Sequence, residues 1–401
     1  MNSTEIKIYP YRWMILAVYF LITVIIEIQW LSFASISSAA QEFYQTTALR
    51  IDFLSMIYMI VFILMSIPVS YVIDTYGLKT GLFAGALLTG IFGVLKALGG
   101  RSLLMVTIAQ AGLALAQPFI LNSVTKVGAK WFPVNERATV AGLGSLAQYI
   151  GIIVALAVTP LLILENQSNY GIEKMLWIYG IISLAGSVLL LVFMREEPPT
   201  PPTVKEFAER ISPAQGISAV LKNRDMQWLL LLFFIGLGIF NAVSTCIDQI
   251  CKSLTMEQTG MIGGIMLVGG VLGALILPAI SDKKRKRKPF IVLCIVLMLP
   301  GLIGLTIFKD FIPMLVSAFV FGFFIMSAGP IGFQYGAEKS YPAPESTSQG
   351  IILMVGQISG IIFVFGLNKL GVTIAMFSFV ILTVFNIFLS TRLKESMNSF
   401  L

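Results

Sequence analysis

The sequence predicts an all-α membrane protein with twelve transmembrane helices in two six-helix, pseudo-symmetric halves. Three observations predict this fold class. The 401 residues are 57% hydrophobic and only 12% charged, whereas soluble domains carry about 25% charged residues. Twelve apolar stretches are each long enough to cross a bilayer as a helix, which takes about 20 residues. One long polar interval divides the twelve stretches six and six.

The first six predicted helices cover 12–38, 53–73, 80–99, 103–125, 138–164 and 174–194. The second six cover 227–250, 260–280, 289–308, 312–336, 347–368 and 372–391. Helix is the expected conformation because backbone groups in lipid must be satisfied within their own segment. We expect no cleaved signal peptide, since the first stretch is too long and no small-residue cleavage site follows it.

The polar interval 195–226 is rich in proline and charge. It separates an N-terminal half, 1–194, from a C-terminal half, 227–401, and we expect a short amphipathic helix near 204–210. Two six-helix halves joined by one long linker are typical of the major facilitator architecture.

The basic residues predict the orientation. Of the 27 lysines and arginines, 20 fall on the side that holds both termini and the linker, which leaves 7 on the other side. The positive-inside rule therefore places both termini in the cytoplasm. The basic run 283–288 lies on that side, where attachment to anionic headgroups explains it better than nucleic-acid binding. We expect no nucleic-acid partner.

Strongly polar side chains lie inside predicted helices 1, 4, 5, 7, 10 and 11, whereas helices 3, 6 and 9 carry none and helix 12 has only Asn386. Such residues usually face the bundle interior or a water-filled cavity. The predicted substrate-binding residues are Glu27, Trp30, Gln110, Gln117, Gln148, Asn241, Gln334 and Gln357. This distribution agrees with an architecture in which helices 3, 6, 9 and 12 form the outer layer.

Glu27 is the most informative of these residues. An ionised carboxylate near the centre of a transmembrane helix costs on the order of 2–3 kcal/mol, and Trp30 follows it one helical turn later. A desolvated cation over an indole ring gains roughly 2 kcal/mol. We therefore predict that Glu27 either balances the charge of a cationic substrate or carries a coupling proton. The alternative is a structural carboxylate, protonated or hydrogen-bonded to a neighbouring glutamine or serine.

A short motif follows the second predicted helix. Asp74, Gly77 and Lys79 match part of the major facilitator signature G-x-x-x-D-R-x-G-R-R, and Asp282 has the equivalent place after the eighth helix. An acid at a helix end can pair with basic residues or with a helix N-terminus, so these residues are predicted to form a conformational latch. Simple solvation of the loop is the alternative.

Longer stretches carry a family resemblance. Residues 28–37, 51–79, 116–121, 131–151, 242–250 and 330–350 resemble the feline leukaemia virus subgroup C receptor-related transporters, solute carrier family 49, of the major facilitator superfamily. Characterised animal members move choline and ethanolamine and were earlier assigned to haem. The resemblance implies that Trp30, Gln117 and Gln357 correspond to residues of the choline site.

Two positions depart from the family pattern. Asn241 stands where the family has an aromatic residue of that site, and Glu27 stands where it has a small residue. These changes favour a different small substrate, such as a primary amine, a zwitterion like an amino acid, or a proton-coupled solute. Haem is disfavoured because the chain has no histidine to serve as an axial ligand.

The predicted function is secondary active or facilitative transport of a small cationic or zwitterionic solute by alternating access, with a site formed by predicted helices 1, 4, 7 and 11. Two alternatives remain: a proton-coupled transporter of another metabolite (a nucleoside, haem or a drug-like solute), and a membrane receptor or sensor that does not transport. We predict no enzyme, no cofactor and no metal, since the sequence shows no paired carboxylates, ligand cluster or nucleophile motif. The expected partners are a small-molecule substrate, the lipid bilayer and, optionally, protons, and the chain is expected to be a monomer.

Overall fold

The computed structural model describes residues 8–133, 136–164, 170–200, 213–284, 286–340 and 345–395. All regular structure in these ranges is helical, and twelve of the described helical segments are long and apolar enough to cross a membrane. The predicted fold class is therefore confirmed. The amphipathic helix expected near 204–210 lies outside the described residues.

The helices before the central linker are α1 Arg12–Leu31, α2 Ser37–Tyr44, α3 Ala48–Tyr76, α4 Leu78–Gly99, α5 Leu103–Leu121, α6 Val124–Trp131, α7 Arg137–Ile153, α8 Thr159–Leu164 and α9 Tyr170–Phe193. Those that follow are α10 Pro213–Lys222, α11 Arg224–Thr245, α12 Ile247–Ile250, α13 Met256–Lys284, α14 Lys288–Ile307, α15 Phe311–Ser340, α16 Glu345–Leu370 and α17 Val372–Ser390. A π-helical turn, Val154–Val158, joins α7 to α8, so these three segments make one span.

The first predicted helix, 12–38, is interrupted in the structure. Ser32, just beyond α1, donates its hydroxyl to the carbonyl of Gln29 at 3.1 Å, a local bond that competes with helix continuation. A 3₁₀ turn, Ala34–Ile36, and then α2 follow. Polar residues cluster at this end of α1, and they take part in the candidate site.

The described chain divides into two compact units. The N-terminal unit holds the described residues up to Phe33 and those from Ala39 to 200, and the C-terminal unit holds Ala34–Ser38 and the described residues from 213 onward. Ser38 thus packs with the C-terminal unit, where its amide and hydroxyl donate to Asp248 Oδ2 at 2.6 and 2.5 Å. Asp248 itself lies on α12, beyond the end of α11, and not within a seventh helix as predicted.

The same packing pattern appears inside each unit. In the N-terminal unit α4 packs on α5 and α9, α3 on α5, and α1 on α7. In the C-terminal unit α14 packs on α15 and α17, α13 on α15, and α11 on α16. Since each span of one unit has a counterpart six spans later, the halves are repeats of one helix-packing scheme, as the sequence predicted.

Glycines allow the closest of these contacts. A Cβ atom on Gly151 of α7 would lie 2.5 Å from the carbonyl oxygen of Val24 and 2.6 Å from Cβ of Glu27. Small residues are what allow helix backbones to approach so closely in a membrane. The backbone of α7 therefore lies directly against the part of α1 that carries Glu27.

Candidate functional site

Glu27 is buried within the N-terminal unit, with 2% of its surface exposed. Its Oε1 accepts a hydrogen bond from Nε2 of Gln117 on α5 at 3.2 Å. The polar residues Tyr19 and Thr23 precede Glu27 at intervals of four, so all three lie on one face of α1. The structure thus brings together two of the predicted binding residues, Glu27 and Gln117.

Trp30 is also buried, with 7% exposed. Its indole Nε1 donates to the carbonyl of Ser55 on α3 at 3.2 Å, and the Ser55 hydroxyl donates to the carbonyl of Trp30 at 3.2 Å. This reciprocal pair fixes the indole orientation and satisfies its only donor. A ligand at Trp30 would therefore meet the ring through its π-face.

Two buried phenols lie in the same unit as Glu27. Tyr19 on α1 and Tyr58 on α3 are at most 1% exposed. Tyr19 precedes Glu27 by about two helical turns on the same face of α1, and the hydroxyl of Tyr58 has no hydrogen-bond partner among the described residues. Since buried hydroxyls are normally paired, the Tyr58 hydroxyl is available to a water molecule or a polar ligand. Sequence reasoning missed both, because tyrosines are common in transmembrane helices.

A second polar cluster lies on another face of α1 and centres on Lys96 of α4. Lys96 is 1% exposed, and its ammonium donates to Gln29 Oε1 and Ser32 Oγ at 2.8 Å and to the Gln29 carbonyl at 3.4 Å. Three donors meet three neutral oxygens, and no described carboxylate pairs with the ammonium. The interpretation of the third predicted helix as free of strongly polar residues was therefore wrong, since that helix buries a cation against α1.

Gln110 belongs to this Lys96 cluster. It is fully buried, and its Nε2 donates to the carbonyl of Gln29 at 3.0 Å. Gln29 also donates to Ser183 Oγ of α9 at 2.9 Å. The two predicted binding glutamines of α5 therefore have different partners, because Gln117 donates to Glu27 and Gln110 donates to the backbone carbonyl of Gln29. Oε1 of Gln110 has no partner among the described residues.

In the C-terminal unit the structure brings Asn241 and Gln357 close together. Asn241 on α11 is 7% exposed and donates to the carbonyl of Gly356 on α16 at 3.2 Å. Gln357 is the next residue, is half-buried, and has an Oε1 atom with no described partner. The hydroxyls of Ser244 and Thr245, one turn beyond Asn241, are also buried and unpaired among the described residues. Several polar groups that can still form hydrogen bonds therefore lie near this part of the α11–α16 contact.

The two remaining predicted residues lie elsewhere. Gln334 on α15 is exposed and donates to Glu338 at 3.3 Å, and Glu338 pairs with Arg287 at 3.1 Å. Gln334 thus belongs to a charged network at the end of its helix. Gln148 is half-buried on α7, one turn before Gly151.

At the predicted latch, Glu196 is the residue that sequence reasoning missed. Its two carboxylate oxygens accept the backbone amides of Leu78 at 3.1 Å and Lys79 at 2.6 Å, and Lys130 pairs with it. Gly77 permits this approach, since it adopts a φ of +102° and a Cβ there would lie 2.8 Å from Glu196 Oε1. The side chains of Asp74 and Asp282 lie outside the described part of the structure, so their latch role stays a prediction.

The C-terminal unit repeats this arrangement. Glu395, which follows α17, accepts the backbone amides of Arg287 at 2.7 Å and Lys288 at 3.2 Å at the start of α14. Glu196 and Glu395 thus occupy equivalent places, each an acid after the last span of its unit capping the third. The detectable signal in the sequence was an acid directly after each of these spans, in 195–197 and 392–395.

The environment of Glu196 also sets its ionisation. Burial raises the pKa of this carboxyl. The hydrogen bonds from Lys130 and from the amides of Lys79 and Leu78 together lower it by more than burial raises it, so the pKa lies below its ordinary value of 4.5. A carboxylate that accepts backbone amides at a helix N-terminus is stabilised in this way. Within the described residues, no cluster of three or more His, Cys, Asp or Glu side chains could hold a metal ion.

The fold and this distribution of buried polar groups are those of a membrane transporter. Residues 15–364 match the family model of the Major Facilitator Superfamily. The chain belongs to this superfamily and is an integral, multi-pass membrane transporter.

The chain is similar to members of solute carrier family 49. It is 28% identical over 387 residues to solute carrier family 49 member A3 of Xenopus tropicalis, covering 92% of this chain and 80% of that protein. It is 26% identical over 380 residues to the choline/ethanolamine transporter FLVCR2 of Rattus norvegicus, covering 90% and 70%. The choline/ethanolamine transporter FLVCR1 of Felis catus is 27% identical over 378 residues, covering 90% and 68%. The predicted resemblance is therefore confirmed.

Solved structures share the fold. A bacterial homologue of the human lysosomal transporter Spinster, in an inward-facing, unoccupied conformation, aligns with a TM-score of 0.77 at 13% identity, covering 96% of this chain and 97% of that one. A D-xylose–proton symporter aligns with a TM-score of 0.73 at 17% identity, again covering 96% and 97%. At these identities the likeness concerns the fold alone.

Proposed function

We propose that this transporter moves a small cationic or zwitterionic organic solute, such as choline, ethanolamine or an amino acid, by alternating access. The observation that carries the proposal is the buried group of Glu27, Gln117 and Trp30, in a unit that also buries the phenols of Tyr19 and Tyr58. The names of the FLVCR1 and FLVCR2 relatives support the same substrate class.

The chemistry of this group favours an amine. The carboxylate of Glu27 supplies a negative charge in a dry environment, and it has one described hydrogen-bond donor, Gln117. The π-face of Trp30 attracts a cation, and the hydroxyls of Tyr19 and Tyr58 can accept hydrogen bonds from an ammonium group that carries N–H donors. Ethanolamine and amino acids carry such donors, whereas choline carries them only on its hydroxyl. The presence of Glu27 and the buried phenols therefore favours a primary ammonium over a quaternary one.

Asn241 and Gln357 remain predicted substrate contacts of the C-terminal unit. The free Oε1 of Gln357 can accept a hydrogen bond from a substrate hydroxyl or ammonium. An asparagine at position 241 provides no aromatic face, so quaternary ammonium recognition there is weaker than with an aromatic residue.

Uptake into proteoliposomes tests the proposal. Purified protein is reconstituted, and uptake of radiolabelled ethanolamine, choline, serine and a neutral nucleoside is compared with that of empty liposomes. We expect uptake of at least one amine. If only the nucleoside enters, the substrate class is wrong; if an amine binds in a thermal-shift assay but does not enter, the chain is a sensor for it.

Replacing Trp30 by Ala locates the site. Losing a cation–π contact of about 2 kcal/mol raises the half-saturating substrate concentration about 30-fold. The matched control is Trp177→Ala on α9, whose side chain is 44% exposed. Equal effects of the two substitutions, or unchanged uptake by Trp30→Ala, would remove Trp30 from the site.

A proton-coupled mechanism is the second candidate, and the burial of Glu27 favours it. A carboxylate that exchanges between water and a dry site can carry a proton across the membrane. The readout is uptake driven by an imposed pH gradient without a substrate gradient.

A further inference from the structure

One end of the C-terminal unit carries a dense charge network. Asp225 pairs with Lys339 at 3.0 Å, and Glu338 pairs with Arg287 at 3.1 Å. Glu395 accepts the amides at the start of α14. The acids named here are therefore all engaged with cations or helix amides.

Three cations at this end form no ion pair with an acid in the part of the chain that the structure describes. Arg224, Arg392 and Lys394 line a cavity of about 370 Å³ together with Asn223, Asp225 and Trp228. None of the three forms an ion pair with a described residue; Arg392 only lies over the Phe388 ring, 5.3 Å from its centre. The one acid in the lining is Asp225, which Lys339 already neutralises. The cavity thus presents unbalanced positive charge.

The walls of this cavity are held in place. Asn223 caps α11 by accepting the amides of Asp225 and Met226 at 2.9 and 3.2 Å, so those amides are not the anion-binding groups. The Tyr335 hydroxyl donates to the carbonyl of Lys394 at 2.7 Å, and Lys339 donates to the carbonyl of Glu395 at 3.1 Å. The segment that carries Arg392 and Lys394 is therefore fixed, although it follows the last helix.

An apolar surface continues from the cavity along both helices. Leu231 follows Trp228 on α11, and Phe388 and Phe385 lie on α17; these three side chains are 38%, 57% and 48% exposed. The two helices are tied together by Asn386, which donates to the carbonyl of Leu232 at 3.2 Å. Charge at the helix ends and exposed apolar side chains deeper along the same helices match the shape of a phospholipid.

We propose that this cavity binds the headgroup of an anionic phospholipid, with its phosphate at Arg224, Arg392 and Lys394 and its acyl chains against Phe388, Phe385 and Leu231. Trp228 lies between the two parts, and tryptophan is enriched at the level of headgroups. The occupant is a lipid and not a free anion because the apolar surface is continuous with the cationic one. The cavity belongs to the C-terminal unit, whereas the group around Glu27 belongs to the N-terminal unit.

Lipid binding to the full-length protein in detergent tests the proposal. Native mass spectrometry compares dioleoyl phosphatidylglycerol with dioleoyl phosphatidylcholine for the wild type and for the triple variant Arg224→Gln, Arg392→Gln, Lys394→Gln. We expect wild type to prefer phosphatidylglycerol and the triple variant to bind it at least about ten-fold more weakly, since each basic residue near a headgroup adds attraction.

The matched control removes the same charge elsewhere in the C-terminal unit. Lys252→Gln, Lys309→Gln, Lys369→Gln changes three exposed lysines that neither line the cavity nor belong to the basic run 283–288. We expect its affinity for phosphatidylglycerol to change less than about two-fold. Equal losses in the two triple variants would show general surface attraction and overturn the proposal, as would a wild type with no preference between the lipids.

A second measurement does not depend on removing charge. Phosphatidylglycerol with brominated acyl chains should quench part of the tryptophan fluorescence, and Trp228→Phe should abolish that part. Quenching that is unchanged in Trp228→Phe would overturn the proposal. Inorganic phosphate is the remaining probe: if it alone raises the melting temperature as much as phosphatidylglycerol does, the cavity takes a free anion and the lipid assignment is wrong.

Discussion

Glu27 has a single described hydrogen-bond donor, Gln117, on one of its two oxygens. A glutamine at position 27 would keep an oxygen for that donor while removing the charge and the proton. This one substitution therefore separates the effect of the side chain's shape from the effect of its ionisation.

We expect Glu27→Gln to flatten the pH dependence of uptake. If Glu27 carries the coupling proton, the uptake rate of the wild type changes across the physiological pH range. The uptake rate of the variant stays constant over the same range, because an amide does not titrate. The measurement is initial uptake rate against external pH. The control is Glu257→Gln, which changes an exposed acid on α13 and should leave the profile intact. A wild-type rate that is independent of pH would contradict the coupling role.

Lys96 is a buried cation whose ammonium has only neutral partners among the described residues. Desolvation opposes a buried cation, but three oxygen acceptors surround this one. Removing the ammonium leaves the side-chain oxygen of Gln29 buried without its donor, which costs about 1–3 kcal/mol.

We therefore expect Lys96→Met to lower the melting temperature in detergent by several degrees, about what a loss of 1–3 kcal/mol produces in a chain of this size. Lys252→Met, at an exposed position, serves as the control and should melt like wild type. A variant that melts higher than wild type would show that desolvation outweighs the three hydrogen bonds.

At the scale of helices, an acid that follows the last span of each unit caps another helix of the same unit. Glu196 accepts two amides at the start of α4, and Glu395 accepts two amides near the start of α14. Unpaired amides at a helix N-terminus carry partial positive charge, so a carboxylate there stabilises the helix. The repeat of this contact supports the view that the halves share one packing scheme.

Glu196→Ala should destabilise the protein in a pH-dependent way. The pKa of Glu196 is lowered in the folded state, so its contribution is fully present above the ordinary carboxyl pKa of about 4.5 and is lost as pH falls through the lower folded value. The melting temperatures of wild type and variant should therefore differ at neutral pH and converge on acidification.

The neighbouring Glu197 provides the control for this substitution. Its side chain is 68% exposed and lies 3.6 Å from Lys130, and exposed ion pairs contribute little. Glu197→Ala should change the melting temperature much less than Glu196→Ala does. A gap between wild type and Glu196→Ala that widens on acidification would contradict the capping role.

For the whole molecule, the distribution of basic residues predicts which ends of the helices face the cytoplasm. The native cysteines Cys246, Cys251 and Cys294 are all buried, so they should give little background in labelling experiments. Exposed positions on both predicted sides, such as Lys283 and Lys252, are available for new cysteines.

We expect Lys283→Cys to react with a membrane-impermeant maleimide only after permeabilisation of the cell, and Lys252→Cys to react in intact cells. The reason is the charge asymmetry of the loops, which orients helices during insertion. Labelling in the reverse pattern would place the termini outside. Labelling of the unsubstituted protein would contradict the burial of its three cysteines.

The sequence by itself determined the twelve helices, the repeated halves and the superfamily. The helices and the halves depend on length and composition, because a bilayer requires about 20 apolar residues per helix and satisfied backbone groups whatever the neighbouring helices are. The superfamily follows from the match of residues 15–364 to its family model. It also identified Glu27, Trp30 and Gln117 as unusual, since polar and aromatic groups in an apolar stretch are visible without coordinates.

Only the tertiary structure decided the partners of these groups. It joined Gln117 to Glu27 but Gln110 to Gln29, and it buried Lys96 in a helix that was predicted to carry no strongly polar residue. It also supplied Glu196 and Glu395 as caps. The physical reason is that a hydrogen bond forms between atoms about 3 Å apart. Which side chains come that close depends on which helix faces packed together, and residues distant in sequence carry no local sign of it.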